Sequence, residues 1–431
     1  MLCNNINTRR LRPTLQRANG LFVPPPPRLP LIIECALDAI ARQRAAGEPL
    51  DRVAGSVARA HRLGPRERTA LGDLVFGWAH QRAVVEERIH AAVARRGGRP
   101  PPLRERDLCA LLLVQQARGG VPDARARAAL DPALALLLDE DTASTSHRLP
   151  GWLEARLRAE HDDADALLAA LGQQAPIGLA LDPAHASVDD VVSAVRAQGA
   201  AAATSPLVPS AVRVSGRLRL ARLPRALQDA LWPMDEGSQA IAHAVDARPG
   251  ERVLDLCAGA GIKTRLLLQT GARVVAADVG AERLLRAPRG AARVVTDGTR
   301  PGLRARSFDK VLLDAPCSGT GTLRRAPDLA YRVHADDVTR LAEVQGRLLD
   351  AAIALAKPGG VVIYATCSLL RAENEAAVEA ALARAPGLAR TSLAALWRGR
   401  VLLDDRGAGE LRLLPHRHGT DGFYLAAVRV P

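Results

Sequence analysis

Lysine is nearly missing from this chain. Of 59 basic residues only Lys263, Lys310 and Lys357 are lysines; the rest are arginines. Arginine and alanine dominance of this kind has the look of compositional bias. The net charge of +13 therefore points to an anionic partner, nucleic acid first, without establishing one. Aromatic residues make up only 3% of the sequence, so any core must be packed mainly with Leu, Val and Ala. No apolar run approaches the roughly 18 residues that span a membrane, and none is followed by a small-residue cleavage site. A cytoplasmic protein is the expectation. None of the six cysteines (Cys3, Cys35, Cys109, Cys257, Cys317, Cys367) forms a C-x-x-C pair, and no histidine sits at a zinc-ligand spacing from them. A structural metal is not expected, nor is a disulfide framework.

What is present divides the chain. With 431 residues and 48% apolar content, two or three domains are expected. Residues 1–30 hold five arginines, no acid and the run Pro24–Pro27, and read as a disordered basic arm. Residues 31–148 repeat apolar positions at three and four spacing, as in Ile32, Ile33, Cys35, Ala36, Ala39 and Ile40. Glycine and proline breaks at 47–49, 64–65 and 97–102 imply a compact all-α bundle. Its arginines at 59, 62, 66 and 68 are candidates for an RNA-facing surface or a solvated one. Residues 149–232 read as a small α+β module. An amphipathic helix runs from Trp152 through Leu168. A strand at 177–181, a helix capped by Ser187, and strands near 200–203 and 212–214 follow.

From 233 onward, strands alternate with helices. The strands are 253–256, 273–278, 294–297, 310–314, 361–364 and 423–428. The first five are continuous apolar runs, so both faces are covered and the sheet is parallel and doubly wound. Ligands bind such sheets beyond the carboxyl ends of the strands. Four of those ends carry notable polar residues. After the first strand comes Cys257-Ala258-Gly259-Ala260-Gly261-Ile262-Lys263, whose glycines permit a tight turn and close approach of a ligand to the backbone. Asp278 ends the second strand, placed to accept ribose hydroxyls. Asp297 ends the third, placed to meet an adenine edge, and Asp314 ends the fourth. A dinucleotide would suit the glycine loop and Asp278 as well. The full succession is more like an S-adenosylmethionine site.

Cys317 and Cys367 each follow an apolar run, Val311–Leu313 and Val361–Ile363. C5 of a cytosine is a poor nucleophile towards a sulfonium methyl. A thiolate adding to C6 makes C5 enamine-like; loss of the C5 proton and of the thiol then frees the product. A free thiol supplies little thiolate near neutral pH unless cations or helix N-termini assist. Arg324 and Arg325 are candidates for that assistance or for binding phosphate, and Asp314 for holding the N3/N4 edge of the base.

The segment from Asp314-Ala-Pro-Cys-Ser-Gly-Thr-Gly to Asp328 resembles the fourth motif of the RsmB (Sun/Fmu) group of RNA cytosine-5 methyltransferases. Tyr364-Ala-Thr-Cys-Ser, followed by Glu373-Asn374-Glu375, resembles its sixth. Asp235-Glu-Gly-Ser-Gln239 resembles the family's lead-in to the cofactor domain, and Ser146–Leu153 the start of its RNA-binding subdomain. The family loop usually reads Ala-Ala-Pro-Gly-Gly-Lys-Thr; here the proline is lost and Ile262 replaces a glycine, while Lys263 is retained. The short segment between Asp278 and Asp297, with Pro288, implies a reduced second helix.

The resemblance implies an α/β fold. It comprises a doubly wound, Rossmann-like class I methyltransferase sheet (233–431), a small α+β RNA-binding subdomain (149–232) and an N-terminal all-α, NusB-like domain (31–148). It implies S-adenosyl-L-methionine as cofactor, held by residues 257–263, Asp278, Asp297 and Asp314. It implies Cys367 as the nucleophile on C6, Cys317 as the group that assists release, and Asp314 as the contact to the base. The expected substrate is RNA, 16S rRNA first. Two alternatives are the same chemistry on tRNA and a catalytically weak RNA-binding assembly factor. A monomer without membrane or metal partners is expected.

Overall fold

The computed structural model describes residues 28–95, 101–117, 122–139, 149–216, 218–403 and 407–431. The basic arm, apart from residues 28–30, lies outside them.

The N-terminal region is all helical. Helices Leu29–Ala46, Leu50–Ala60, Pro65–Arg95 and Leu103–Ala117 bury Ile32, Ile40, Val57, Trp78 and Leu111 against one another, and two short helices, Ala124–Ala128 and Pro132–Leu137, join them. Arg59, Arg62, Arg66 and Arg68 are exposed. The unit docks on a single-turn segment, Pro327–Tyr331. There Leu50 N donates to Asp328 Oδ2 (3.2 Å), Ala83 N donates to the Tyr331 hydroxyl (3.0 Å), and Arg82 lies 4.4 Å above the Tyr331 ring.

The helix expected from Trp152 through Leu168 is two helices, Gly151–Glu160 and Ala164–Leu171. The break falls at His161, Asp162 and Asp163, where polar side chains find tertiary partners: Asp163 accepts from His416 (2.6 Å) and Arg417 (2.7 Å). An antiparallel sheet follows, of strands β1 (Ile177–Leu181), β2 (Ala201–Thr204), β3 (Val212–Ser215) and β4 (Leu231–Pro233), in the order β2-β3-β1-β4. The Ser187 hydroxyl accepts from Asp190 N (3.2 Å) and starts helix Val188–Arg196, whose Val191 and Val195 pack on this sheet with Leu179 and Val212.

The large sheet comprises β5 (Arg252–Leu256), β6 (Arg273–Asp278), β7 (Ala292–Val295), β8 (Phe308–Asp314), β9 (Ala356–Thr366), β10 (Ala389–Arg390), β11 (Glu410–Leu413) and β12 (Phe423–Arg429). Its order is β10-β12-β9-β8-β5-β6-β7, with β11 paired to β12. Strands β5 to β9 run parallel, as their apolar runs predict, and β12 is antiparallel to β9. One face buries Leu348, Leu349, Ala352 and Val378; the other buries Ile241, Leu267 and Trp397. The third parallel strand ends at Val295, so Asp297 sits in the following loop and not on the strand. The second helix of the wound unit is only Ala281–Leu284, as the short spacing implies. Among the described residues no helix is long and apolar enough to cross a membrane.

Candidate active site

The five parallel strands each deliver a loop to one cavity of about 570 Å³. Its walls include Cys257 to Ala260, Ile262, Lys263, Asp278, Asp297, Asp314, Cys317 and Cys367. The sequence-derived residues thus converge, from positions up to 110 residues apart. Gly261 is not on the wall itself.

The glycine loop turns through left-handed backbone at Cys257 (φ +70°), Gly259 (φ +58°) and Gly261 (φ +74°). At Gly261 a side chain is also sterically excluded: a Cβ there would lie 2.7 Å from Ala287 Cβ and Pro288 Cδ. Gly259 N donates to Asp278 Oδ2 (2.8 Å), which ties the loop to the end of β6. Helix Ile262–Gln269 starts here with no side-chain cap on its first N–H groups. Burial pushes the Cys257 thiol up to about 12, so it lines the cavity as a neutral group.

Asp278 is buried. Its Oδ1 accepts from Gly280 N (2.7 Å) and Arg283 Nη2 (2.8 Å). Three of the four acceptor positions of the carboxylate are occupied, leaving room for one hydroxyl. Asp297 is exposed at the rim; the backbone and hydroxyl of Thr299 donate to it and lower its pKa.

Asp255, which the sequence reading passed over, sits beneath the loop. Thr264 Oγ1 donates to its Oδ2 (2.5 Å), while Oδ1 is buried without a partner. Burial pushes its carboxyl up to about 6. An orphaned buried acceptor at the floor of a cavity this size is a place for a ligand donor. The residues present therefore fit a nucleoside-bearing cofactor with a cationic end.

Lys263 Nζ donates to Asp314 Oδ2 at 2.6 Å. Burial opposes the ammonium, but Asp314, Asp255 and Cys367 outweigh it and its pKa lies above the ordinary value. Lys263 is thus the cation facing Cys367. Arg324 and Arg325 do not take that place. Arg324 donates to the carbonyls of Gly419 (2.9 Å) and Thr420; Arg325 donates to Asp421 (2.6 Å), Asp235 (2.9 Å) and Pro176 O (2.9 Å). The fold turns both arginines away from the thiols, onto the chain leading into β12.

Cys317 and Cys367 lie just beyond the ends of the adjacent strands β8 and β9, and their sulfurs are 3.3 Å apart as free thiols. The hydrogen bond with Cys367, then burial, raises Cys317 well above the usual thiol value. The loop after Cys317 is clamped: Gly321 N donates to Cys367 O (2.9 Å) and Gly422 N donates to Gly321 O (2.8 Å). A Cβ on Gly321 would stand 2.0 Å from Gly422 O, so only glycine fits between them. Beneath both cysteines lies Glu373, fully buried and absent from the sequence-derived site. Its one legible signal is its place shortly after the second cysteine motif.

A family model described as 16S rRNA methyltransferase RsmB/F matches residues 242–429, and a RsmF/B-like ferredoxin-like domain matches residues 149–221. The chain belongs to the RsmB/F family. It is 33% identical over 315 residues to the ribosomal RNA small subunit methyltransferase B of Pseudomonas putida, covering 70% of each chain. It is 36% identical to the protein of that name from Xanthomonas campestris pv. campestris, spanning 64% of this chain and 65% of the relative's length. The crystal structure of PH0851 is 22% identical with a TM-score of 0.73, covering 95% of this chain and 99% of that one. That likeness shows the fold. An RsmB/F chain with this sheet has the class I methyltransferase architecture that the alternating strands predict.

Proposed function

We propose that this RsmB/F chain transfers a methyl group from S-adenosyl-L-methionine to C5 of a cytosine in RNA, with 16S rRNA as substrate. The observation that carries the reading is the pair of thiols 3.3 Å apart on the wall shared with the glycine loop and Asp314. When bound, the cofactor supplies an electrophilic methyl. Residues 257–263, Asp278 and Asp297 hold it, and Asp255 offers the free acceptor beneath it. Lys263 fixes the Asp314 carboxylate, leaving its other oxygen to meet the base. Cys367 forms the sulfur–C6 bond, which puts electron density on C5. After methylation C5 gives up its proton to water, the C–H electron pair forms the C5–C6 double bond, and the Cys367 sulfur leaves with the S–C6 pair as a thiolate. Cys317, in contact with that sulfur, assists the release. The base must be single-stranded or flipped to enter.

In this reading residues 233–431 form the catalytic domain, and 149–232 and 31–148 present the RNA. Bisulfite sequencing of total RNA from a deletion strain tests it. Loss of one 16S rRNA signal is expected. Loss of a tRNA signal instead changes the substrate, and no change at any cytosine overturns the proposal. Failure to bind S-adenosyl-L-methionine at millimolar concentration would leave an RNA-binding factor without turnover.

A further inference from the structure

Two catalytic cysteines in van der Waals contact pose a chemical problem. If both ionise they repel, and if the wrong one ionises the roles invert. The side chains beneath them resolve it. Glu373 is fully buried, yet no cation pairs with it among the described residues. Four donors converge on it: Ser318 N (2.8 Å) and Gln345 Nε2 (3.0 Å) on Oε1, and Ser318 Oγ and Ser368 Oγ (both 2.5 Å) on Oε2. Ser318 N and Gln345 Nε2 can only donate, which makes Oε1 an acceptor, and the two serine hydroxyls meet at Oε2. Glu373 thus gathers four polar groups, from both cysteine loops and from Gln345.

The two serines are the residues directly after Cys317 and Cys367. One carboxylate therefore ties both cysteine loops to a common point. The neighbouring side chains complete the frame: Tyr364 donates to Glu373 O (2.6 Å), Thr366 donates to Asn374 Oδ1 (2.6 Å), and Asn374 Nδ2 donates to Ser368 O (3.0 Å).

We propose that Glu373 is the positioning residue of this site. Its fixed negative charge locks the two loops in register and places the thiolate on Cys367, leaving Cys317 a neutral thiol able to exchange a proton. The role rests on the methylation reading above. Electrostatics on each side agree with it. The titratable groups facing Cys317 are Cys367, Glu373 and Tyr364, with no cation among them. Glu373 acts on Cys317 in the direction that keeps its proton. Lys263, between Asp314 and Asp255, is the charge that faces Cys367.

Alkylation by iodoacetamide across a pH series, mapped by mass spectrometry, reads each sulfur without any need for turnover. In the wild-type chain near neutral pH, Cys367 is expected to react at least about tenfold faster than Cys317, the factor that one unit of pKa separation gives. Glu373→Gln keeps the shape and removes the charge. Cys317 should then gain about tenfold in rate and its alkylation profile should move to lower pH. In methylation assays the same variant should lose kcat with KM for RNA little changed, and Glu373→Asp should recover part of it. Wild-type Cys317 reacting faster than Cys367, or an unchanged Cys317 profile in Glu373→Gln, overturns the proposal. The wild-type comparison decides even if the variant does not fold. If the alkylation order holds but no RNA is methylated, the charge assignment stands and the functional reading fails.

Discussion

Lys263 and Asp314 lie 51 residues apart in sequence and 2.6 Å apart in space. Lys263 comes from the start of the helix after the glycine loop and Asp314 from the end of β8, so the pair fastens the two walls of the cavity to each other. Lys263→Met would leave the Asp314 carboxylate without its cation. Because Asp314 retains some solvent, the expected loss of stability is about 1–3 kcal/mol, less than for a fully buried pair. Urea denaturation measures it. Methylation should fall further than stability, by at least about a hundredfold, since both the base contact and the cation beside Cys367 are disturbed.

The cysteines should separate cleanly by phenotype. Cys367→Ala is expected to abolish both methylation and any covalent RNA adduct. Cys317→Ala is expected to accumulate the adduct, seen as a band that resists denaturing electrophoresis and disappears with ribonuclease. Normal turnover by Cys317→Ala would rule out its part in release.

Gly261→Ala tests the turn. The new methyl would meet Ala287 and Pro288 at 2.7 Å in a left-handed backbone that alanine resists. A destabilisation of about 1–3 kcal/mol is expected. Calorimetric titration should show S-adenosyl-L-methionine affinity reduced by more than about tenfold, as the loop is displaced.

Asp255 makes stability depend on pH in an unusual direction. Its carboxyl is raised from 3.8 to about 6 in the folded chain, first by burial. The folded state therefore binds its proton more tightly than the unfolded state. The contribution is fully present below the unfolded value, and is lost as pH rises from there through about 6. Relative to Asp255→Asn, the wild-type chain should lose up to about 3 kcal/mol across that window. Denaturant midpoints for both proteins at a series of pH values check this, and parallel curves would contradict it.

Tyr331→Phe probes the attachment of the helical unit. The hydroxyl is the acceptor for Ala83 N, and its removal should cost about 1–2 kcal/mol. Hydrogen exchange should accelerate first at Ala83, within helix Pro65–Arg95.

Much of the architecture is legible in the sequence because the strands are simple. Val311-Leu312-Leu313 and Val361-Val362-Ile363 are apolar on both faces, and only a covered parallel sheet accommodates that. The site residues at strand ends follow from the same logic, since the wound topology sends those ends to one rim. Reading by proximity fails where the chain doubles back. Arg324 and Arg325 follow Cys317 closely in sequence, yet their carboxylate and carbonyl partners come from 419–421 and from 176 and 235. Asp297 was expected on a strand, but β7 stops two residues earlier. Glu373 is the hardest to foresee. It is legible only as part of the Glu373-Asn374-Glu375 segment of the sixth-motif resemblance, which says nothing of its partners, a serine five residues before it and another 55 residues before it.

The clamp of Gly321 by Gly422 sets a schedule for assembly. Residues 419–422, which hold Gly321 and Arg324, and β12, which pairs along β9, leave the ribosome after both cysteines. A nascent chain can carry the glycine loop, Cys317 and Cys367 and still lack the frame that presses the two sulfurs together. The paired-thiol wall is in this sense a late product of synthesis, and under the proposed function an unfinished chain should be unable to attack the RNA around it.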